Sequence, residues 1–387
     1  MRTDVAASIS APTLTIRGLS SQPLRGRGIE RVTLNVAPRT VTVLLGPPDS
    51  GKSALLRSIA GLDAPQEGSV ELSGRDLSGM APHRRGVGFV LQDPALFAHL
   101  TVADNIRFGL RVARWGSAER ELRVAEVARV VGLGHRGEAH IEELAPAEQL
   151  GVAIARAIAL APRLLLLDEP LAGIAPSDRP RERATLRQLL QRLQLSVVLA
   201  TSDVDDAMAL ATDVAVMTEG HVLQQGSVRE VAARPQTAEV ARTLGYVLLL
   251  EGRIEGERIN ELRVGAIPTP ASAAHEGRVQ VVAHPAALLA VPAGRGLGVG
   301  VSGTVAASQP LGSLWQVQVA LGGRPPVLAR WEWDDEPPAP GTAVDIATPT
   351  AGLLYFFKPS LTSTVQQPRM QLGLMNTPGL RELAETG

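Results

Sequence analysis

The chain has 387 residues, 45% of them hydrophobic, with no cysteine and 38 lysines and arginines against 39 aspartates and glutamates, a formal charge of −1. That length exceeds one ordinary domain and suits two with their own cores. The missing cysteines exclude disulfides and thiolate metal sites and fit a reducing cytosol, and the balanced charge offers no footprint for nucleic acid or an anionic membrane.

The opening "MRTDVAASIS" lacks the apolar core of a secretory signal. Apolar runs are interrupted early: "GVAIARAIALAP" by Arg156 and Pro162, "VVAHPAALLAVPAGRG" by His284, two prolines and Arg295. Neither approaches the roughly 18 to 20 apolar residues of a membrane helix, so any membrane role is expected to be peripheral, through a partner. The arginines Arg25, Arg27 and Arg31, and Arg84 with Arg85, read as solvated loop charges.

Residues 13–45 read as strands: "TLTI", then "RVTLNV" with Val32, Leu34 and Val36 in alternation, then the solid apolar "VTVLL" running into Gly46. A helix is predicted over 53–60, stopped by Gly61, followed by strands in "SVELSG" and "GVGFVLQ". Residues 101–161 read as a helical insert with Thr101 and Ser117 as N-caps and Gly132 and Pro162 as stops. Strand and helix then alternate through "LLLLD", a helix over 178–193, "SVVLAT", "DVDDAMALA" and "VAVM", the pattern of a parallel sheet covered by helices. Beyond Gly252 short alternating strands with Gly and Pro turns predict a small β-barrel or sandwich, in which Trp315, Trp331 and Trp333 are core. The stretch from Lys358 onward reads as a loosely held tail with a short helix near "GLRELAE".

Between the third strand and the first helix lies "GPPDSGKS", a match to G-x-x-x-x-G-K-[ST] in the strand-to-helix position the motif requires. Gly46, Pro47, Pro48, Asp49, Ser50, Gly51, Lys52, Ser53 and the following Ala54 then form a phosphate cradle. Backbone N–H groups at the helix start point at phosphate oxygens, Lys52 reaches the β- and γ-phosphates, and the Ser53 hydroxyl ligates Mg²⁺. "LLLLDEP" supplies the complement: Asp168 ends an apolar strand where it can hold the Mg²⁺ shell, and Glu169 can orient or deprotonate a water that attacks the γ-phosphate.

With "GVGFVLQDPALFAHLTVADNIRFGL", "VAIARAIALAPRLLLLDEPLAGIAP" and "DVAVMTEGHVLQQGS" added, residues 13–245 resemble the ATPase subunits of ABC importers. The resemblance is in particular to those with a C-terminal regulatory β-domain that serve sugar, polyamine, iron, sulfate or molybdate uptake. The fold class implied is α/β: a P-loop NTPase parallel sheet with N-terminal antiparallel strands and a helical subdomain, followed by a small all-β, OB-like or TOBE-like domain. The implied boundaries are 1–245 for the nucleotide-binding domain, with a helical subdomain at about 95–160, then 252–357 for the β-domain and 358–387 for the tail. The resemblance implies ATP and Mg²⁺ as cofactors and Gln92 as a contact to Mg²⁺ and the attacking water. It further implies integral-membrane permeases facing "DPALFAHLTVADNI", a second ATPase subunit in a homodimer or heterodimer, and an extracytoplasmic solute-binding protein acting indirectly. The place implied is the inner face of the cell membrane, reached from the cytoplasm, with no nucleic acid partner.

The sequence departs from that family at several points. The signature, usually LSGGQ and contributed by the sister subunit, is Leu144, Ala145, Pro146, Ala147 and Glu148: no hydroxyl, one N–H fewer, and a negative charge near a polyanion. Ser202 stands where a histidine would contact the γ-phosphate. Ala172, Gly173, Ile174 and Ala175 replace the usual S-A-L-D, and Pro48 and Asp49 alter the cradle. The first aromatic residue is Phe89, so Arg25 or Arg27 is the expected stacking partner for adenine. Losing one oriented donor to a transition-state oxyanion costs on the order of 3 kcal/mol, about 100-fold in rate. The expected activity is therefore a transport ATPase with weakened turnover; the alternative is a hydrolytically impaired structural or regulatory subunit that pairs with an intact paralogue.

Overall fold

Alternation at Val32, Leu34 and Val36 buries one face of the first sheet. In this computed structural model, which describes residues 12–23, 26–255, 258–261, 264–268, 277–294, 301–311, 314–322, 325–331, 336–347 and 353–357, β1 (Leu14–Ser21) and β2 (Ile29–Val36) pair antiparallel. The wholly apolar β3 (Val41–Leu45) leads through residues 46–51 into α1 (Lys52–Ala60), which Gly61 ends in a left-handed conformation, φ 81°. β4 (Glu67–Leu72) and the short β5 (Arg75–Asp76) complete a sheet ordered β2-β1-β4-β5.

After β6 (Val87–Val90) comes the helical insert: α2 (Val102–Val112), α3 (Ser117–Val130) and α4 (Pro146–Ile158). Thr101 caps α2 by accepting the Asp104 N–H at 3.2 Å. Ser117 does not cap α3. Gly116 holds the extended N-cap conformation, φ −61° and ψ 150°, so Ser117 is already the first helical residue.

The alternation that follows is β7 (Leu164–Asp168), α5 (Arg179–Leu193), β8 (Ser196–Thr201), α6 (Val204–Leu210), β9 (Asp213–Thr218), β10 (His221–Ser227) and α7 (Val228–Ala233). Six strands line up as β10-β9-β3-β8-β7-β6; all neighbours are parallel except β10, which returns antiparallel beside β9. Leu164 through Leu167 are fully buried, as expected for a parallel strand covered on both faces. One apolar core joins β1, β2 and β4 to α1 and to Leu166, Val198 and Met217 of the parallel sheet. Because β3, β6, β7 and β8 run the same way, the residues that follow each of them emerge at one edge, the place where open α/β sheets bind ligands.

Contacts divide the chain into two compact units, residues 1–234 and 235–387. The division precedes Gly245 because α8 (Ala238–Thr243) packs on strands of the second unit, β11 (Val247–Glu255) and, beyond β12 (Arg258–Glu261) and β13 (Val264–Pro268), β14 (Gly277–Ala283). Next come β15 (Leu289–Pro292), β16 (Val301–Leu311), β17 (Leu314–Ala320), β18 (Val327–Trp331), β19 (Ala343–Ala347) and β20 (Leu353–Phe357). They form a five-stranded sheet, β13-β12-β11-β14-β20, and a closed barrel, β15-β18-β17-β16-β19. Trp331 is buried in the core of this unit and Trp315 packs partly buried against it; Trp333 and the tail from Lys358 lie outside the described residues.

Candidate nucleotide site

The loop after β3 is shaped by two glycines. A Cβ on Gly46 would lie 2.1 Å from the Met217 carbonyl oxygen, so no larger residue fits where the chain leaves the sheet. Gly51, at φ 96°, is the N-cap of α1. Between them Asp49 is held at φ 60°, a left-handed conformation that a residue with a Cβ adopts at a cost.

Lys52 is 5% exposed, and its Nζ donates to the carbonyl oxygens of Gly46 at 2.8 Å and Pro47 at 2.9 Å. Glu169 Oε1 stands 3.8 Å from the same nitrogen. Burial lowers the Lys52 pKa below the ordinary lysine value, against the pull of Glu169, Asp168 and Asp49. Next along the helix, Ser53 Oγ donates to Asp168 Oδ1 at 3.0 Å. Burial raises the Asp168 pKa; the Ser53 hydrogen bond and Lys52 work the other way, and the Glu169 charge adds to the rise.

These groups open on a pocket of about 430 Å³ lined by Pro48 through Ala54 together with Gln92, Glu169 and Ser202. The volume falls in the range of roughly 300–1,000 Å³ common for small-molecule sites. The topology accounts for the meeting: Gln92 follows β6, Glu169 follows β7 and Ser202 follows β8. Glu169 sits at φ 45° with its N–H donated to the Ala200 carbonyl at 2.9 Å, a strained backbone of the kind found at functional sites. Ser202 is exposed at the turn before α6, whose N-cap Asp203 accepts the Asp206 N–H at 2.8 Å. Arg27 also lines the pocket; Arg25 lies outside the described residues.

Leu144 to Glu148 form the entry to α4. Leu144 is buried, Ala145 is the N-cap and Pro146 takes the first helical position, where its missing N–H costs the helix nothing. The Glu148 carboxylate has local partners. Its Oε2 accepts the Ala145 N–H at 3.0 Å and its Oε1 lies 3.7 Å from Arg136 Nε, so the carboxylate folds back on its own helix start. Ala172 and Gly173 are exposed between the buried Leu171 and Ile174, and Ala175 begins the turn into α5. Ala172 is also part of the pocket wall.

Among the pocket residues that no motif announced is an arginine. Arg179, at the start of α5, lines the wall beside Ala172, Glu169 and Ser202 and is clamped to Asp206. Its partner lies 27 residues away on another helix, so no local pattern marks the pair.

Residues 29–172 match the family described as ABC transporter, and 257–356 match the TOBE domain. The chain is 42% identical over 273 residues to the Fe(3+) ions import ATP-binding protein FbpC of Streptomyces coelicolor, an alignment covering 70% of this chain and 78% of that protein. The chain belongs to the ABC transporter family. It joins an ABC ATPase domain to a C-terminal all-β TOBE domain, and proteins of this family bind ATP. FbpC of Streptomyces avermitilis is 38% identical over 85% of this chain and 94% of its own length. The sulfate/thiosulfate import ATP-binding protein CysA of Nocardia farcinica is 39% identical over 65% of this chain and 76% of its own. Among solved structures, cbiO1 of Clostridium perfringens, part of the ABC transporter complex cbiONQ, aligns with a TM-score of 0.52 and 26% identity over 61% of this chain and 95% of that one.

Proposed function

We propose that this protein is the ATP-hydrolysing subunit of an import system and couples MgATP turnover to solute uptake through partner permeases. The observation that carries this reading is the pocket in which the cradle residues 48–54 meet Gln92, Glu169 and Ser202. Its relatives named for iron and for sulfate match to similar degrees, which fits a subunit whose chemistry is independent of the cargo.

The Ser53 hydroxyl, the Asp168 carboxylate and the Gln92 amide are hard oxygen donors of the kind Mg²⁺ prefers. When bound, Mg²⁺ offsets charge on the β- and γ-phosphate oxygens. Lys52 exchanges the Gly46 and Pro47 carbonyls for phosphate oxygens. Glu169 accepts a proton from water as that water bonds to the γ-phosphorus and the bond to the β–γ bridging oxygen breaks, releasing ADP and phosphate. Ser202 donates toward the terminal phosphate. The α4 start, Leu144 to Glu148, covers the nucleotide of a second subunit.

The segment after Gln92 is the proposed permease contact. Asn105, fully buried, accepts the Phe97 N–H at 2.9 Å and donates to the Phe97 and Thr101 carbonyls, while Arg156 donates to those of Pro94 and Ala95. Those bonds pre-form a loop that need not pay ordering entropy on docking. Among the described residues no helix is long and apolar enough to cross a membrane, so attachment at the inner face runs through that partner.

Calorimetry and turnover on the isolated chain test this reading. The expected result is MgATP binding with slow hydrolysis that Glu169→Gln stops; no heat of binding at millimolar MgATP would overturn it. The second reading, a subunit dependent on an intact paralogue, is supported by Pro146 at the α4 start and Ser202 at the pocket, and predicts turnover only on mixing with a subunit that carries the full signature.

A further inference from the structure

Arg179 is held in an unusual way for a pocket residue. Its Nε and Nη2 both donate to Asp206 Oδ2, at 3.2 and 2.8 Å, and Nη2 lies 3.7 Å from Asp203 Oδ2. Asp206 is 2% exposed and also accepts from Arg183 Nε at 2.6 Å. Two carboxylates thus fix two guanidinium groups, but of the two only Arg179 faces the pocket. Its side chain is 24% exposed, and its Nη1 makes no hydrogen bond among the described residues. Both carboxylates belong to the turn and helix that immediately follow Ser202, so the arginine is tied to the very segment that lacks an imidazole.

A serine hydroxyl is short and uncharged, whereas a guanidinium N–H to a phosphate oxygen makes a charge-assisted bond and keeps its charge at any working pH. We propose that Arg179 donates through Nη1 to the terminal phosphate of the bound nucleotide and supplies the cationic donor that Ser202 cannot. This rests on the pocket being the MgATP site. Asp206 acts as the anchor: it orients the fork and leaves one edge for the ligand.

The test compares a ligand with a third phosphate to one without it. Affinities for MgADP and for the non-hydrolysable MgAMP-PNP are measured by calorimetry on the full chain, with thermal unfolding of each variant alongside. Arg179→Gln is expected to weaken MgAMP-PNP about tenfold, the worth of one charge-assisted hydrogen bond, and to leave MgADP unchanged. Arg183→Gln, which removes the other arm on Asp206 outside the pocket, is expected to leave the ratio of the two affinities unaltered. In a Ser202→His background the loss caused by Arg179→Gln is expected to shrink, because the restored imidazole shares the contact. Equal weakening of both ligands by Arg179→Gln, or an unchanged ratio, would reduce Arg179 to a structural pin between α5 and α6 and overturn the proposal. Should Arg179→Gln not fold, Arg179→Lys takes its place: a fall in the ratio supports the proposal and a constant ratio overturns it. Wild-type protein that binds neither nucleotide overturns the pocket assignment itself, a result distinct from failure of the Arg179 contact alone.

Discussion

Two regions of the ATPase domain contrast in how their residues suit the proposed nucleotide chemistry. Around α1 the groups proposed to meet phosphate and metal are tightly placed: Lys52 is buried within its loop, and Ser53 touches Asp168. The start of α4, proposed to cover a sister subunit's nucleotide, carries no hydroxyl and no N–H at Pro146, yet the helix start is well built, with proline at its first position and Glu148 bonded back to Ala145. The difference teaches that folding and ligand contact are separate demands on the same residues. Pro146 and Glu148 satisfy the helix, while Pro146 has no N–H and the Glu148 carboxylate no donor to offer a partner.

The largest expected effect tests the intact region. Glu169→Gln should lower turnover by about 10² to 10⁴, the usual worth of a positioned general base, with MgATP affinity retained. Steady-state phosphate release and calorimetry on the same preparation separate the two quantities. A variant that hydrolyses ATP at the wild-type rate would place the water-activating group elsewhere. Lys52→Ala comes next, with MgATP binding expected to weaken by about 100-fold through loss of charge-assisted contacts to two phosphates. If affinity is retained, the carbonyl-bonded position of Lys52 is its functional resting place and the cradle does not grip as described.

The intact region was also the more legible in sequence, for a physical reason. A strand running into a glycine-bounded turn, with lysine and serine opening a helix, is local chemistry, and its spacing alone puts backbone N–H groups and Ser53 on one side. Strand-helix alternation likewise implied the parallel sheet, while Gln92 and Ser202 were marked only by the family resemblance; the structure brings them with Glu169 to the edge where β6, β7 and β8 end. What escaped depends on contacts distant in the chain or on backbone detail. Arg179 needs Asp206 from another helix. The position of the Glu148 carboxylate is set by its bond to Ala145 and by Arg136 from outside the helix, which spacing alone does not show. Ser117 lost its capping role because Gly116 takes the extended conformation one residue earlier. Closure of the barrel rests on β15 pairing parallel with β18, with β16 and β17 between them in the chain, which no short stretch of alternation encodes.

The altered region can be tested by repair. Rebuilding the start of α4 with Ala145→Ser, Pro146→Gly, Ala147→Gly and Glu148→Gln restores a hydroxyl and an N–H and removes the carboxylate. Turnover at saturating MgATP is expected to rise about tenfold to a hundredfold, together with ATP-dependent dimerisation seen by sedimentation. Stability should fall by about 1 kcal/mol, the cost of Ala147→Gly within the helix, with a smaller loss from the Glu148 carboxylate. A serine in place of Ala145 adds a helix cap worth about 1 kcal/mol, and glycine in place of Pro146 gives up a similar amount of backbone restriction. Unchanged turnover in a variant that folds and dimerises would mean that closure is not what limits this enzyme, and the contrast between the two regions would lose its functional meaning.

The smallest effect lies inside the first region, at a cradle residue that does not suit it. Asp49 combines a left-handed backbone with a carboxylate near Lys52. Asp49→Gly relieves conformational strain of about 1 kcal/mol but frees the unfolded chain by a comparable amount, so folding stability should move by less than about 0.5 kcal/mol. Affinity for MgATP should rise, by about threefold to tenfold, because a negative charge beside the phosphates is removed. Salt separates charge from shape. A gain from lost repulsion shrinks between low ionic strength and about 0.15 M, where the screening length is about 8 Å, and Asp49→Asn reproduces it. A gain that persists in salt and appears only with glycine comes instead from the Cβ that crowds the loop, and it would make the backbone conformation at residue 49, rather than its charge, the remaining defect of the grip.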